Sequence, residues 1–168
     1  MLFNAQRQLT FASFKSRPGS VRARSACAQF ATRRGIAYGE PLLMLAGCAG
    51  SGKTHLLHAT ANLAKGNDAM RSSSTLSARR LIDEVQRASF FGDLPFWRTR
   101  FASIDWLAID DVDDLFGQPV PSDFLLQVLR LRCDARRRTL LTATLSRLPS
   151  ADSALTDFLN PQAAVRLI

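Results

Sequence analysis

At 168 residues, with 46% hydrophobic and 21% charged residues and a mean hydropathy of -0.02, the chain has the size and balance of one globular domain with a substantial core. No apolar run approaches the ~20 residues of a helical membrane span, and Cys27, Cys48 and Cys133 form no C-x-x-C pair, so neither a disulfide framework nor a zinc site is indicated; a cytoplasmic protein with no membrane partner is expected. The net charge of +8 is concentrated in residues 1–39, which hold Arg7, Lys15, Arg17, Arg22, Arg24, Arg33 and Arg34 and no acid.

A basic leader beside a nearly neutral domain predicts contact with a polyanion, either nucleic acid or nucleotide phosphates. The same residues can also serve solubility alone, and their Arg- and Ser-rich, acid-free composition is shared with organellar transit peptides. Within this leader, residues 20–34 are predicted to form a helix with Ala23, Ala26, Cys27 and Phe30 on one side, stopped by Gly35.

An apolar run over residues 41–46 predicts a buried strand, and residues 55–63 read as a helix. Between them lies Gly47-Cys48-Ala49-Gly50-Ser51-Gly52-Lys53-Thr54, which fits the pattern GxxxxGK[ST]. Small residues let such a loop curl so that its N–H groups point at phosphates, and the new helix adds the positive end of its dipole. Gly47, Gly50, Ser51 and Gly52 are therefore candidate phosphate-binding positions; Lys53 would reach the β- and γ-phosphates, and Thr54 would place its hydroxyl on Mg²⁺. His55 and His58 lie on the following helix without a third ligand, so surface or packing roles are expected for them. Cys48 is small loop filler, open in principle to oxidation.

Residues 65–68 predict a turn and residues 70–75 contain the next strand, weakened by a serine run. Ser77 is placed to cap a helix over 78–88 with Leu81, Ile82 and Val85 on its apolar stripe. The aromatic and basic stretch 90–101 is expected to pack across the sheet edge as core, not as a base-stacking platform. Residues 104–111 then form an apolar strand ending in two carboxylates. Asp110 would hold the hydration shell of Mg²⁺ opposite Thr54, and Asp111 would orient the attacking water. A solvated acidic turn is the alternative, given Asp113 and Asp114 close behind. Ser122 is expected to cap a helix carrying Phe124, Leu125, Val128, Leu129 and Leu131, and Arg136-Arg137-Arg138 precede a strand over 139–143 that ends at Thr144. Alternating helices and short apolar strands predict an α/β three-layer sandwich on a parallel sheet.

With these elements placed, the chain resembles the AAA+ ATPase core of the bacterial replication initiator DnaA and its regulatory relative Hda. The resemblance rests on Leu9-Thr10-Phe11-Ala12-Ser13-Phe14, on Gly52-Lys53-Thr54-His55-Leu56-Leu57-His58-Ala59, and on the stretch from Phe96-Trp97-Arg98 to Ile109-Asp110-Asp111-Val112. It implies a P-loop NTPase base subdomain that takes ATP or ADP with Mg²⁺. It also makes the basic leader the first element of the domain, near the adenine, which argues against a transit peptide.

Departures from the family pattern shape the expectation. Thr142-Ala143-Thr144 stands where the family has a Thr-Ser-Asp type sequence, so the resemblance assigns the γ-phosphate sensor role to Thr144. Gln162 falls where the family's intersubunit arginine is expected, and the chain ends at Ile168, before the family's helical lid and DNA-binding domain. The implied function is an ATP- or ADP-binding regulator or accessory of replication initiation that works through a replication initiator or another replication protein, hydrolyses slowly at most, and touches DNA only weakly and non-specifically. Two alternatives stay open: a helicase-loader type ATPase that engages single-stranded DNA, and a non-enzymatic interaction module descended from such an ATPase.

Overall fold

Six consecutive buried residues, Leu42–Gly47, form the strand (β1) that leads into the glycine-rich loop. The structure, a computed structural model, describes residues 5–32, 41–66, 72–148, 154–159 and 164–167, the last of these as backbone. In chain order the elements are α1 (Val21–Thr32), β1, α2 (Lys53–Lys65), β2 (Ser73–Ser77), α3 (Ala78–Phe91), α4 (Leu94–Ser103), β3 (Trp106–Asp110), α5 (Pro119–Asp134), β4 (Arg138–Thr144), α6 (Ala154–Leu159) and β5 (Ala164–Leu167). The five strands lie in the order β2-β3-β4-β1-β5, and every pair is parallel. Parallel neighbours need crossovers, and the helices supply them on both faces.

Side chains alternate across the strands, so each strand feeds two cores. Leu43, Leu45, Trp106, Ala108 and Leu140 pack under α1 and α2, with Ala23, Cys27, Phe30, Leu56 and Leu57. Leu42, Met44, Ala46, Leu107, Ile109 and Leu141 pack on the other face with α3, α5 and α6, through Leu81, Val85, Leu125, Leu129 and Leu155. The predicted three-layer α/β arrangement is thus observed. Among the described residues no helical lid stands beyond the sheet, and none of the helices is long and apolar enough to cross a membrane.

Several boundaries differ from the sequence expectation. α1 begins at Val21, after a short 3₁₀ turn, and ends at Thr32; Arg33, Arg34 and Gly35 lie outside the described residues, as do Asn67 and Asp68 of the predicted turn. α2 starts at Lys53, two residues earlier than the expected residue 55. Ser77 does cap α3, accepting the Arg80 N–H at 3.3 Å, but that helix runs on to Phe91, where Gly92 adopts φ +75°. Ser122 is not a cap. α5 begins three residues earlier at Pro119, whose fixed φ suits the first helical turn, and the Ser122 hydroxyl donates to the Leu115 carbonyl at 2.7 Å.

The stretch 90–101 also departs from expectation, because it is not one packed block. It forms the end of α3, a glycine turn and α4, and α4 packs against α5. A helix presents one face at a time, so Trp97 and Phe101 turn inward, with Phe101 edge-on to Phe124 at 6.0 Å. Phe90, Phe91 and Phe96 are left 84%, 69% and 60% exposed at the tip of the helix pair.

Two arginines tie the layers together from inside. Arg132 on α5 is fully buried: its Nε donates to Thr139 Oγ1 at 2.8 Å, Nη1 to the Phe101 and Ile104 carbonyls at 2.8 and 2.6 Å, and Nη2 to the Arg138 carbonyl at 2.6 Å. Burial, then nearby Arg137, lowers its pKa to about 9, so it remains cationic at neutral pH. Arg138 donates from Nη1 to the Phe30 and Ala31 carbonyls at 2.7 and 3.0 Å, closing the C-terminal end of α1, where a cation complements the helix dipole.

Candidate functional site

The C-terminal ends of β3, β4 and β1 lie side by side, and ligands of open α/β sheets bind at that edge. β1 ends at Gly47, which is in register with Thr144 at the end of β4. From there the loop to α2 makes two left-handed excursions, Gly50 at φ +72° and Gly52 at φ +95°. Gly52 is required twice over, since a Cβ there would come within 2.8 Å of the Phe14 ring. Lys53 is buried, and its ammonium donates to the Gly47 and Cys48 carbonyls at 3.2 and 2.9 Å, which holds it across the loop it would serve. Ser51 Oγ is buried there without a hydrogen-bond partner among the described residues, whereas Thr54 and Cys48 are exposed.

The N-terminal segment closes the loop from one side. Its anchor is one face of α2: His55 Nε2 contacts the Thr10 carbonyl at 2.8 Å, His58 Nδ1 accepts the Gln6 N–H at 3.2 Å, and Asn62 donates to the Gln6 and Leu9 carbonyls at 2.8 and 2.9 Å. The packing role expected of the two histidines is therefore observed. Burial lowers the pKa of His58, keeping it in the neutral form that can accept at Nδ1. Between this segment and the loop lies a cavity of about 330 Å³ lined by Phe14, Lys15, Arg17, Gly50–Gly52 and His55, among others.

Asp110 ends β3, buried, and its Oδ1 accepts the Thr142 hydroxyl at 2.5 Å. The same hydroxyl oxygen accepts the Asp111 N–H at 2.8 Å. Thr142, a residue without an assigned role in the sequence reading, therefore fixes the tips of β3 and β4 to each other. Thr144 lies farther along β4; its N–H donates to Asp113 Oδ1 at 3.0 Å. The acidic turn is not simply solvated. Asp113 is buried and ion-paired with Arg147 at 3.1 Å, and Asp114 pairs with both Arg79 at 3.1 Å and Arg147 at 2.6 Å. For Asp114 burial alone would raise the pKa, but the hydrogen bonds from Arg147 and Arg79 outweigh it and hold the carboxyl below its usual range. Arg147 is thus engaged within its own chain, while Gln162 lies outside the described residues.

Asp111 adopts φ +55°, a left-handed conformation that an Asp tolerates at a turn. Burial, then the Asp110 and Asp113 carboxylates, push its pKa above the ordinary 3.8, with Lys53 acting in the opposite direction. A carboxyl raised on folding penalises the folded state once ionised, so its cost is present at neutral pH and disappears as pH falls through the raised value toward 3.8. Asp111→Asn, which keeps the turn geometry, is therefore expected to raise the melting temperature at neutral pH and to leave it unchanged below pH 3.8. Melting curves of both proteins across this range check the sign.

The residues present suit a nucleoside polyphosphate: a turn of glycine N–H groups, an ammonium, an unpartnered serine hydroxyl, and a hydroxyl and a carboxylate on either side. Among the described residues no group of three or more His, Cys, Asp or Glu could hold a metal ion unaided.

Comparison with known proteins decides the family. The profile described as the bacterial DnaA ATPase domain matches residues 5–167. The chain belongs to this DnaA family. The chromosomal replication initiator protein DnaA of Nitrosomonas eutropha is 28% identical to the DnaA-family domain over 134 residues, covering 80% of this chain and 29% of that protein. AMPPCP-bound DnaA from Aquifex aeolicus has the same fold, with a TM-score of 0.84 at 21% identity over 97% of this chain and 51% of that one. The DnaC helicase loader follows with a TM-score of 0.74 at 14% identity, over 95% of this chain and 97% of the loader. The DnaA-family domain spans less than a third of the curated relatives it matches.

Proposed function

We propose that this DnaA-family domain binds ATP or ADP with Mg²⁺ and acts in the cytoplasm in the initiation of DNA replication or its regulation, through contact with a replication initiator or another replication protein. The observation that carries the reading is the convergence of the glycine loop, the buried Lys53 ammonium and the Asp110 carboxylate at one edge of the sheet. Likeness to a DnaA that binds AMPPCP supports it. Gly47, Gly50, Ser51 and Gly52 cradle the phosphates, Lys53 contacts their β- and γ-oxygens, and Thr54 and Asp110 hold the metal. When bound there, Mg²⁺ would supply positive charge beside the phosphate oxygens. Asp111 orients water and Thr144 reads the γ-phosphate, with Thr142 keeping Asp110 and Asp111 in place.

Slow hydrolysis by the domain alone is expected, because the family resemblance puts Gln162 where an intersubunit arginine would fall, and Arg147 is ion-paired with Asp113 and Asp114 in its own chain. Titration of ATP and ADP by calorimetry, with and without Mg²⁺, tests the reading; absence of binding under both conditions would leave only an interaction module.

A second reading, a loader-like ATPase that engages single-stranded DNA, is favoured by one observation. Phe90, Phe91 and Phe96 stand exposed on the tip of α3 and α4 beside Arg87 and Arg100, the combination of flat rings and cations on which unpaired bases stack. On this reading, replacing the three phenylalanines with alanine weakens binding of a single-stranded oligonucleotide by about 1–3 kcal/mol per base lost from the stack. Fluorescence anisotropy over a salt series checks it: sequence-independent binding that falls with salt is expected, and equal affinity of variant and native protein would count against the tip.

A further inference from the structure

The outer wall of the phosphate cradle carries two cations that the nucleotide-binding residues named above do not include. Lys15 and Arg17 both line the cavity next to Gly50–Gly52, and both are exposed. Arg17 is extended (φ -115°, ψ 159°), and Ser16, between the two cations, does not line the cavity. Among the described residues no Asp or Glu lines this cavity, and no carboxylate pairs with either cation.

Apart from Ser51 on the loop itself, the neutral polar side chains that line the cavity are already engaged. Ser13 Oγ donates toward the Gln8 and Thr10 carbonyls, Ser20 Oγ bonds the Arg17 backbone, and His55 Nε2 is taken up by Thr10 and Ser13. What the wall still offers a ligand is positive charge. The backbone carrying it is fixed at both ends, by Phe14 packed on Gly52 and edge-on to His55 at 5.2 Å, and by the Arg17–Ser20 turn. Cations on a pre-set backbone bind an anion with little further ordering.

We propose that Lys15 and Arg17 form a second clamp, supplied by the same chain, on the phosphates of a nucleoside di- or triphosphate held by the loop. The proposal rests on the nucleotide-binding reading and adds to Lys53, which reaches the Gly47 and Cys48 carbonyls, a cation pair from the N-terminal segment on the cavity beside Gly50–Gly52. Its consequence is that polyphosphate affinity depends on three protein cations and is correspondingly sensitive to salt.

The test is calorimetric titration of Mg²⁺-ATP, Mg²⁺-ADP and AMP into the full chain, the Lys15→Ala/Arg17→Ala variant and Lys53→Ala, at about 50 and 200 mM salt. The double variant should bind ATP and ADP about tenfold more weakly, with a shallower salt dependence, and AMP with little change. Its nucleotide-free melting temperature should match the native one, because both side chains are exposed. Lys15→Arg/Arg17→Lys should restore affinity. ATP affinity within twofold of native in the double variant, while Lys53→Ala is impaired, would overturn the clamp and leave the nucleotide site standing. A native chain that binds none of the three nucleotides would instead overturn the site itself and the clamp with it.

Discussion

Replacing Arg132 with methionine is expected to cost about 3–5 kcal/mol of folding stability, because several buried neutral acceptors lose their donor at once. The guanidinium makes hydrogen bonds to the carbonyls of Phe101, Ile104 and Arg138 and to the Thr139 hydroxyl. These acceptors sit at the end of α4, in the approach to β3 and at the start of β4, so one side chain joins three segments around α5. Methionine fills comparable volume but donates nothing, and each buried acceptor left alone costs about 1–3 kcal/mol. The desolvation of an uncompensated cation is relieved at the same time, which keeps the total below the sum of four lost bonds. Arg132→Lys should recover only part, because a lysine ammonium has three donors and no planar fork. Urea denaturation of the three proteins measures this, with Leu131→Ala on the exposed side of the same helix as a control expected to cost far less. A loss below about 1 kcal/mol for the methionine variant would show that water replaces the guanidinium.

The strand that carries the glycine loop and the strand that ends in Asp110 were legible because a parallel strand covered on both faces must be apolar along its whole length. The loop itself was legible because two left-handed positions demand glycine. Arg132 was not, since an arginine in an amphipathic helix reads as solvent-facing; yet Leu125, Val128, Leu129 and Arg132 follow the spacing of the buried stripe, and that periodicity was the available signal. The aromatic stretch misled for the converse reason. Phenylalanine content suggests core, but helix geometry lets only Trp97 and Phe101 reach α5, and Phe90, Phe91 and Phe96 project from the ends. The contribution of Thr142 depended on register. Ile109 pairs with Leu141, which sets Asp110 beside Thr142 and carries Thr144 on toward Gly47, and no local pattern encodes how two strands distant in sequence slide against each other. Gln162 lies outside the described residues, so its position relative to the site stays an expectation of the family resemblance.

Lys53→Ala is expected to weaken Mg²⁺-ATP binding by about 2 kcal/mol, roughly thirtyfold, while the fold persists. In the structure the ammonium satisfies itself on the Gly47 and Cys48 carbonyls. Cys48 is exposed, so water can replace at least part of that contact, and the nucleotide-free melting temperature should move little. With nucleotide present the two proteins should separate. At an ATP concentration about 100 times the native dissociation constant, binding stabilises the native fold by about 2.7 kcal/mol; a variant that binds thirtyfold more weakly gains only about 0.9 kcal/mol under the same conditions. Thermal melts with and without Mg²⁺-ATP therefore give a readout that does not depend on turnover, which suits a domain expected to hydrolyse slowly. Asp110→Asn offers the complementary measurement. It removes charge next to the loop but retains an oxygen able to accept from Thr142, so its defect should show in the Mg²⁺ dependence of binding more than in binding without metal. If Lys53→Ala keeps the full ATP-induced shift, the ammonium does not contact phosphate, and the convergence of Lys53 with Asp110 at the sheet edge is structural only.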